Sequence, residues 1–395
     1  MVINPGGRLA LIDIVGRDDL LASLRTALSV QSVVLTAERR MGKTHVLLKL
    51  QHEAPTGQIF VNLDVGGIGS ADEFTRRVIE SVEPHLGQGT RFKNFMGDLA
   101  KRTGGAQLGP LKLPQFEGKS WEHALSQLFQ QLDATERLSF VFMWDELPWM
   151  LQKIAASNAR EAMDLLDILR SLRQTHEKAR MIYTGSLGLH HIVRALRDNG
   201  YNNDPTNDMM IVEVPPLAGE DAKLLARQLF EAAPLLAENE AVIDAIADAT
   251  NGVGFWIHWI TNDLRRRAHG SASTVTVITI ADVVQDAIES PNDPWHLRHY
   301  LDRTKDYYGT HRTAALALLD VVAAAAVPIS VSDTINRAKV KALDLDETTW
   351  FDLIELLQRD HYVVRTRGTG LLGFKFSPVL SWWRWHRGIA IGSAA

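Results

Sequence analysis

Residues 32–44 read SVVLTAERRMGKT, and this stretch decides the fold class. Residues 32–36 form a short apolar run rich in β-branched side chains, which favours a buried strand. The next eight residues match the phosphate-loop pattern GxxxxGK[ST], except that Ala37 stands at its first position. A helical pattern begins at Thr44. A strand, a glycine-containing loop and a helix in this order predict a P-loop.

The residue types of this loop suit a nucleoside triphosphate. Backbone N–H groups and the positive end of the following helix would surround the phosphates, and Gly42 would allow close approach. Lys43 would lie near the terminal phosphates, and the Thr44 hydroxyl would bind magnesium. Ala37 is tolerable if its φ angle is negative, and the alternative is a chance turn before a lysine-bearing helix. The residues predicted to bind ATP here are Ala37, Glu38, Arg39, Arg40, Met41, Gly42, Lys43 and Thr44.

Two acidic residues follow a strongly apolar strand candidate. Residues 139–144 (SFVFMW) end directly before Asp145 and Glu146. In P-loop enzymes an acid at this strand end holds magnesium beside the phosphate loop, and a neighbouring acid can polarise the attacking water. Asp145 is therefore a predicted Mg²⁺ ligand together with Thr44, and Glu146 is the predicted catalytic base. The alternative is a solvated acidic pair at the start of the next helix.

The next strand candidate, residues 180–184, ends in YTGSLG. A polar side chain at this position could contact the γ-phosphate or the attacking water. Ser186 and Thr184 are both candidates, and Ser186 is the predicted catalytic residue. The competing interpretation is a strand-end turn that uses Gly185.

Short apolar runs alternate with helical patterns over the first 215 residues. This alternation predicts a parallel sheet with helices on both faces. The strand candidates are 32–36, 58–63, 139–144, 180–184 and 209–214, and the helix candidates are 44–53, 71–86, 121–132 and 159–176. Residues 87–120 interrupt the pattern with many glycines, lysines and prolines, which predicts an insertion suited to partner contacts.

The rest of the chain is predicted to be mostly helical. Three helical patterns follow the core, at 219–232, 238–250 and 255–268, and predict a lid domain. Three more, at 312–326, 331–338 and 346–359, precede two apolar runs at 361–367 and 371–376, which predicts a winged helix. The fold class is α/β: a P-loop parallel sheet with helices on both faces, then a helical lid and a winged-helix domain. The predicted domains are 1–215, 216–305 and 306–395.

Composition places limits on the functional classes. The 395-residue chain has a formal charge of −5, which gives no global attraction to nucleic acid. It contains no cysteine, which excludes disulfides and thiol catalysis. The apolar stretch 313–331 contains Asp320 and Pro328, so a buried helix explains it better than a membrane span. We expect a cytoplasmic protein without a membrane segment.

The loop, the acidic pair and the YTGS strand end together resemble the P-loop ATPases of the AAA+/STAND assemblage. The chain is most similar to the archaeal-type ATPases with a carboxy-terminal winged helix, through VGRDDLLASL near the start and FKFSPVLSWWRWHRG near the end. The resemblance implies an ATPase that uses ATP and Mg²⁺, with Gly16 and Arg17 near the adenine and Ser186 near the sensor position.

Two features differ from the family pattern. The sequence NGVGFW has Gly254 where the family often has proline at the lid helix. No arginine finger is evident: Arg194 and Arg197 follow the sensor strand at a suitable distance, but such arginines commonly solvate a helix face.

Three functional hypotheses follow. The first is an ATPase that acts as a nucleotide-controlled switch or remodeller, with water attacking the γ-phosphate. The second is a winged-helix regulator that binds DNA, with nucleotide structural or absent. The third is a scaffold in a defence or mobile-element assembly that binds a protein partner through 87–120 or the carboxy-terminal domain. Self-association into a homo-oligomer is compatible with each of them.

The predicted winged helix argues against strong DNA binding. Its candidate recognition helix, DETTWFDLIELLQRD, is largely acidic, so it matches phosphates poorly. The wing and the residues after it offer Arg365, Arg367, Lys375, Arg384 and Arg387. Trp382, Trp383 and Trp385 are expected to pack against the lid, with base stacking as the alternative.

Overall fold

The computed structural model describes residues 1–86, 120–135, 138–186, 188–269, 272–340 and 345–392. The chain forms two compact units, Arg17–Val214 and a second unit that joins Met1–Gly16 to Pro215–Ala395. The predicted insertion at 87–120 lies outside the described residues, apart from Ser120, where a helix begins.

A five-stranded sheet of parallel pairings forms the centre of the first unit, which confirms the predicted α/β class. The strand order is β2-β3-β4-β1-β5, so the strand before the predicted P-loop lies between β4 and β5. The strands are β1 (Val33–Thr36), β2 (Gln58–Asp64), β3 (Ser139–Asp145), β4 (Ala179–Thr184) and β5 (Met210–Glu213). The helices among the described residues of this unit are α1 (Asp18–Val30), α2 (Lys43–His52), α3 (Ala71–Leu86), α4 (Ser120–Asp133), α5 (Leu147–Ser157), α6 (Ala159–Thr175) and α7 (Leu189–Asp198).

The core of this unit forms around β3. Its five inner residues are fully buried because helices cover both faces of a parallel sheet. Aromatic side chains fill one face: Trp144 meets the edge of Phe74 at 4.9 Å and stacks on Tyr183 at 5.7 Å. Asn158 ends one helix and begins the next, and its side chain accepts a hydrogen bond from the Glu161 N–H. This packing fixes the end of β3, where the acidic pair follows.

The carboxyl ends of the parallel strands lie at one edge of the sheet. Asp64 and Asp145 are register partners at the ends of β2 and β3, and Leu35 and Thr184 are partners near the ends of β1 and β4. The predicted P-loop, the acidic pair and the YTGS turn lie at or directly after these ends, so the topology brings them to the same edge.

The second unit begins with helices that correspond to the predicted lid. A short two-stranded parallel ribbon, which the sequence did not predict, accompanies them. Its elements are α8 (Gly219–Ala232), β6 (Leu235–Ala237), α9 (Glu240–Ala249), α10 (Gly254–Arg267), β7 (Ser273–Val275), α11 (Val277–Glu289), α12 (Arg298–Asp302) and α13 (Thr304–Tyr308). In the first sixteen residues, the Asn4 N–H donates to Nδ1 of His258 on α10 at 3.3 Å.

The last part of the second unit has the element order predicted for a winged helix. Three helices precede an antiparallel hairpin, and Ile329 forms a bridge to Leu372 of its second strand. The elements are α14 (Arg312–Ala324), α15 (Val331–Lys339), α16 (Glu347–Arg359), β8 (Val363–Arg365), β9 (Leu372–Phe374) and α17 (Ser377–Arg387). The predicted boundary between lid and winged helix, at 305 and 306, stays a prediction.

The apolar stretch at 313–331 forms the buried helix α14 up to Ala324, and Asp320 lies inside that helix. Its carboxylate is 4% exposed and accepts hydrogen bonds from Nε1 of Trp383, at 3.0 Å, and from the Arg387 guanidinium, at 2.5 and 2.6 Å. Arg384 donates to two backbone carbonyls at the end of α14. Among the described residues, no helix combines the length and the apolar character that a bilayer crossing requires.

The three tryptophans of the last helix divide between core and surface. Trp382 and Trp383 are buried, as expected from packing. The expectation is wrong for Trp385, which is 46% exposed because it lies on the outer face of α17.

Candidate nucleotide-binding site

The predicted phosphate loop has the backbone of an anion-binding turn. Arg40 and Gly42 both have left-handed backbone angles, with φ of 71° and 87°, and Ala37 keeps a negative φ, as its tolerance required. A Cβ at Gly42 would meet only Nδ1 of His45 within 4 Å, at 3.8 Å. The surroundings of Gly42 therefore leave room for a side chain, and glycine is favoured here because of the left-handed backbone conformation. Left-handed residues interspersed in a loop turn successive N–H groups toward a shared concavity.

Lys43 begins α2 and closes the loop from the inside. Its Nζ donates to the Ala37 carbonyl at 2.9 Å and lies 3.5 Å from the Glu38 carbonyl. Gly42 is the residue before the helix, and it has no side chain that could cap the helix N–H groups. The positive end of the helix and the ammonium both favour an anion at this place.

Thr44 and Asp145 meet at the site, although 101 positions separate them in the chain. The Thr44 hydroxyl donates to Oδ2 of Asp145 at 3.0 Å. Burial raises the pKa of Asp145 above the ordinary aspartate value, and the negative charge of Glu146 adds to this; the Thr44 hydrogen bond and the charge of Lys43 act in the opposite direction. A hydroxyl and a carboxylate are oxygen ligands of the kind that Mg²⁺ prefers.

Glu146 is held by the turn after β4. Its Oε2 accepts two hydrogen bonds from Ser186, one from the N–H at 3.0 Å and one from the hydroxyl at 2.8 Å. Glu146 itself has a left-handed backbone with φ of 61°, an unusual conformation for a side chain of this size. A Cβ on Gly185 would lie 2.8 Å from Pro148 Cδ and 3.3 Å from Glu146 Cα. Glycine at 185 therefore allows the two turns to approach each other.

The two sensor candidates have different environments. Ser186 contacts Glu146, whereas the Thr184 hydroxyl is buried and makes no hydrogen bond with any described residue. The structure thus brings Ser186 to the acidic pair. The two arginine-finger candidates, Arg194 and Arg197, lie on the exposed face of α7, and a role for them stays a prediction.

Arg17 and Gly16, predicted to lie near the adenine, belong to different compact units. The Arg17 guanidinium is buried and donates to the Met41 carbonyl of the phosphate loop at 3.0 Å. Gly16 has φ of 66°, and a Cβ there would lie 2.6 Å from Asp221 in the first turn of α8. The contact of Arg17 with the loop was not expected from the sequence.

The Glu38 side chain is buried against the loop, whereas its position in the motif predicted a contact with the phosphates. Its side chain is only 4% exposed, and Oε1 accepts a hydrogen bond from the Arg39 N–H at 2.6 Å. The Glu38 carboxylate therefore accepts a hydrogen bond from one of the loop N–H groups that were predicted to bind phosphate. Burial, with a smaller contribution from the neighbouring Arg39, lowers the pKa of Arg40; a bound anion would offset that cost.

The donor set fits a triphosphate with magnesium. An ammonium such as that of Lys43 and the N–H groups of a left-handed loop are groups that suit phosphate, and the Thr44–Asp145 pair offers oxygen atoms beside the start of the same helix. Glu146 lies one residue beyond the metal-ligand candidate and is oriented by Ser186. This arrangement can bind a phosphate chain and hold a carboxylate beside it.

Two residues at this edge were missed by sequence reasoning. Lys153 on α5 donates to the Gly66 carbonyl at 2.8 Å and so ties the loop after β2 to the helix that follows the acidic pair. Asp64 ends β2 as the register partner of Asp145, and its Oδ1 accepts the Gly66 N–H at 2.9 Å. Asp64 could have been found because it ends an apolar strand, as Asp145 does. No signal in the sequence indicates the Lys153 contact.

Two solved structures of archaeal proteins are similar to this chain. One is a Walker-type ATPase of Pyrococcus abyssi, with a TM-score of 0.63 and 15% identity over 97% of this chain and 100% of that chain. The other is the ORC2 protein of Aeropyrum pernix, in ADPNP-ADP complexes, with a TM-score of 0.50 and 12% identity over 94% of each chain. No family model matches the sequence, and no curated protein matches it.

At these identities the likeness establishes the fold. The chain has the fold of these two archaeal proteins, which confirms at the level of the fold the resemblance identified from its motifs.

Proposed function

We propose that the chain binds ATP with magnesium at residues 37–44 and hydrolyses it, acting as a nucleotide-controlled switch or remodeller. The observation that carries this proposal is the 3.0 Å hydrogen bond between Thr44 and Asp145. It joins the start of the P-loop helix to the end of β3, as a shared metal ion would require. The ADPNP-ADP complexes of the similar Aeropyrum pernix protein support the choice of an adenine nucleotide.

Binding rests on the loop and the first turn of α2. The loop N–H groups and the Lys43 ammonium would contact the phosphates. The Arg39 N–H donates to the Glu38 carboxylate, so it could contact a phosphate only after Glu38 moves away. Thr44 and Asp145 would hold Mg²⁺, which supplies positive charge against the phosphate oxygens when bound. Gly16 stays the predicted residue on the side of the base.

Hydrolysis rests on Glu146 and Ser186. The Glu146 carboxylate would accept the proton of the water that attacks the γ-phosphate. Both hydrogen bonds from Ser186 fall on Oε2, so Oε1 is the atom left to meet that water. Lys43 would stabilise the charge that develops on the transferred phosphoryl oxygens.

Variants of Lys43 and Glu146 test this proposal by separating binding from turnover. Lys43→Ala should abolish ATP binding, and Lys49→Ala, six residues along the same helix, is the matched control that should keep it. Glu146→Gln should bind ATP with magnesium as the wild type does while losing at least about a hundredfold in turnover. Unchanged phosphate release in both Lys43→Ala and Glu146→Gln would remove the proposal.

The DNA-binding alternative is weakened by two contacts in the second unit. Arg384 and Arg387, candidates for phosphate contact, are bound to backbone carbonyls and to Asp320. Arg365 and Arg367 remain exposed on the wing. Contacts with a protein partner, through 87–120 or the last domain, and self-association stay proposals.

A further inference from the structure

Arg17 is buried at the start of α1, with 7% of its surface exposed. Burying a guanidinium is costly unless its N–H groups are paired, so a buried hydrogen bond that it makes can indicate its role. One NH2 group donates to the Met41 carbonyl at 3.0 Å. We propose that Arg17 is a positioning residue that fixes the conformation of the phosphate loop through this carbonyl. The inference rests on the proposed function, because it concerns the same site.

The Met41 carbonyl controls the direction of a loop N–H group. It shares one peptide plane with the Gly42 N–H, and the structure contains no cis peptide bond among its described residues. In a planar trans peptide the C=O and the N–H point in opposite directions. A carbonyl held toward Arg17 therefore turns the Gly42 N–H away from Arg17.

The loop needs this support because its backbone is uncommon. Met41 lies between Arg40 and Gly42, which are both left-handed, and its own N–H is 3.4 Å from the Glu38 carbonyl, a long hydrogen bond. Peptide planes between such residues reverse readily when a glycine adjoins them. A charge-assisted hydrogen bond from a buried group favours one of the two orientations.

Helix α1 also contacts α2 through ion pairs at the surface, and these pairs provide a control for the Arg17 contact. Nζ of Lys49 on α2 contacts Oδ1 of Asp18 at 2.9 Å, and Arg25 contacts Oε2 of Glu53 at 2.8 Å. These two pairs connect the helices along their outer surface, whereas the Arg17 bond reaches the loop. Arg25 is thus a matched control: it joins the same helix to the P-loop helix without contacting the loop.

If Arg17 orients the loop, its replacement should weaken the binding of phosphate chains whether or not they carry an adenine base. A residue that orients the loop should affect every ligand with a phosphate chain by the same factor. Replacing a residue that contacts adenine should weaken the binding of ATP and leave the binding of inorganic tripolyphosphate unchanged. Titrations of full-length Arg17→Gln, Arg17→Lys and Arg25→Ala with magnesium-ATP, together with competition by magnesium-tripolyphosphate, separate the two roles.

We expect Arg17→Gln to weaken ATP and tripolyphosphate equally, by about tenfold, which corresponds to the loss of one charge-assisted hydrogen bond. Arg17→Lys should recover part of this loss, and Arg25→Ala should match the wild type. Weaker ATP binding with unchanged tripolyphosphate competition would overturn the proposal, and so would unchanged binding of both ligands.

A second measurement covers the case in which Arg17→Gln does not fold. Hydrogen exchange of the loop N–H groups at 38–42, without ligand, should be faster in Arg17→Lys than in Arg25→Ala. Equal exchange in the two variants would overturn the proposal. Failure of the proposed function is recognised separately, because wild-type protein would then show no ATP binding that depends on Lys43.

Discussion

At the scale of single residues, Asp145 lies between a hydroxyl donor, Thr44, and a negative neighbour, Glu146, in a position with limited access to water. Burial raises its pKa, so the ionised form costs the folded protein free energy while no cation is present. A metal ion that binds between Thr44 and Asp145 would recover that cost. Without its ligand, the folded protein therefore gains less free energy from Asp145 than the Thr44 hydrogen bond alone would suggest.

Replacing Asp145 with asparagine should separate stability from metal binding. A raised pKa means that the stability contributed by this group falls as the pH rises through the folded-state pKa. At pH 7 the ligand-free Asp145→Asn protein should therefore melt at or above the wild-type temperature, while magnesium no longer strengthens ATP binding. Asp64→Asn, at the exposed register partner, should keep the magnesium effect. A clearly lower melting temperature with an intact magnesium effect would contradict this prediction.

The raised pKa also sets a pH dependence for the wild type. The affinity for magnesium-ATP should fall with decreasing pH at a higher pH than for an ordinary aspartate, because Asp145 must be ionised to bind the metal. Calorimetric titrations across pH 4 to 8 measure it, with Asp145→Asn as the variant that should lose this dependence.

Gly185 should be essential for turnover and dispensable for binding. A methyl group there would lie 2.8 Å from Pro148 Cδ and 3.3 Å from Glu146 Cα, so Gly185→Ala must displace the turn that carries Glu146. We expect kcat to fall by about a hundredfold or more, with ATP affinity within about twofold of wild type, since a small misplacement of a catalytic group is costly. Gly67→Ala, with no atom within 4 Å of the added carbon, is the control. Equal kcat in the two variants would contradict the role of this close approach.

Among the helices and strands, the predicted bounds agree with the structure where the hydrophobic pattern extends over many residues. The helices Ala71–Leu86 and Gly219–Ala232 have the predicted bounds because their apolar faces repeat over several turns. The ribbon strands Leu235–Ala237 and Ser273–Val275 have three residues each, too few for any period to be recognised. Strand β3 extends one residue further than predicted because Asp145 pairs with Asp64, which only the neighbouring strand determines.

The candidate site shows the same division. Local sequence indicated Lys43, Thr44, Asp145 and Glu146 as candidates, since each belongs to a short motif beside an apolar strand. Contacts that depend on how separate elements approach could not be predicted. The hydrogen bonds from Ser186 to Glu146 require a left-handed backbone at Glu146 and a glycine at 185, and neither is visible as a pattern in one sequence.

The pair of Asp320 and Arg387 should stabilise the second unit. Arg387→Ala would remove two hydrogen bonds from a carboxylate that is 4% exposed and would keep the one from Trp383. Removing one partner of a buried pair costs about 3–5 kcal/mol; because the Arg387 side chain is 30% exposed, we expect about 2 kcal/mol. Chemical denaturation measures this, and the exposed Arg365→Ala should change stability by less than about 0.5 kcal/mol. Equal stability of the two variants would contradict the prediction.

At the scale of the whole molecule, charge makes nucleic acid a poor ligand. The chain carries a formal charge of −5, and the exposed face of α16 includes Glu347, Asp352 and Glu355. We expect duplex DNA to bind more weakly than about 10 μM at physiological salt, in the range of non-specific contacts. Fluorescence anisotropy at several salt concentrations measures this. Tight binding that is lost in Arg365→Ala/Arg367→Ala would instead favour the wing as a DNA-binding element.

The proposed ATPase activity requires one metal-bound triphosphate held between the start of α2 and the end of β3. Isothermal titration of ATP into the full-length chain, with magnesium and then with a chelator, measures this most directly. We expect one site per chain, with affinity at least tenfold weaker in the chelator and no detectable heat for Lys43→Ala. The absence of heat with the wild-type chain, or an equal isotherm for Lys43→Ala, would contradict it.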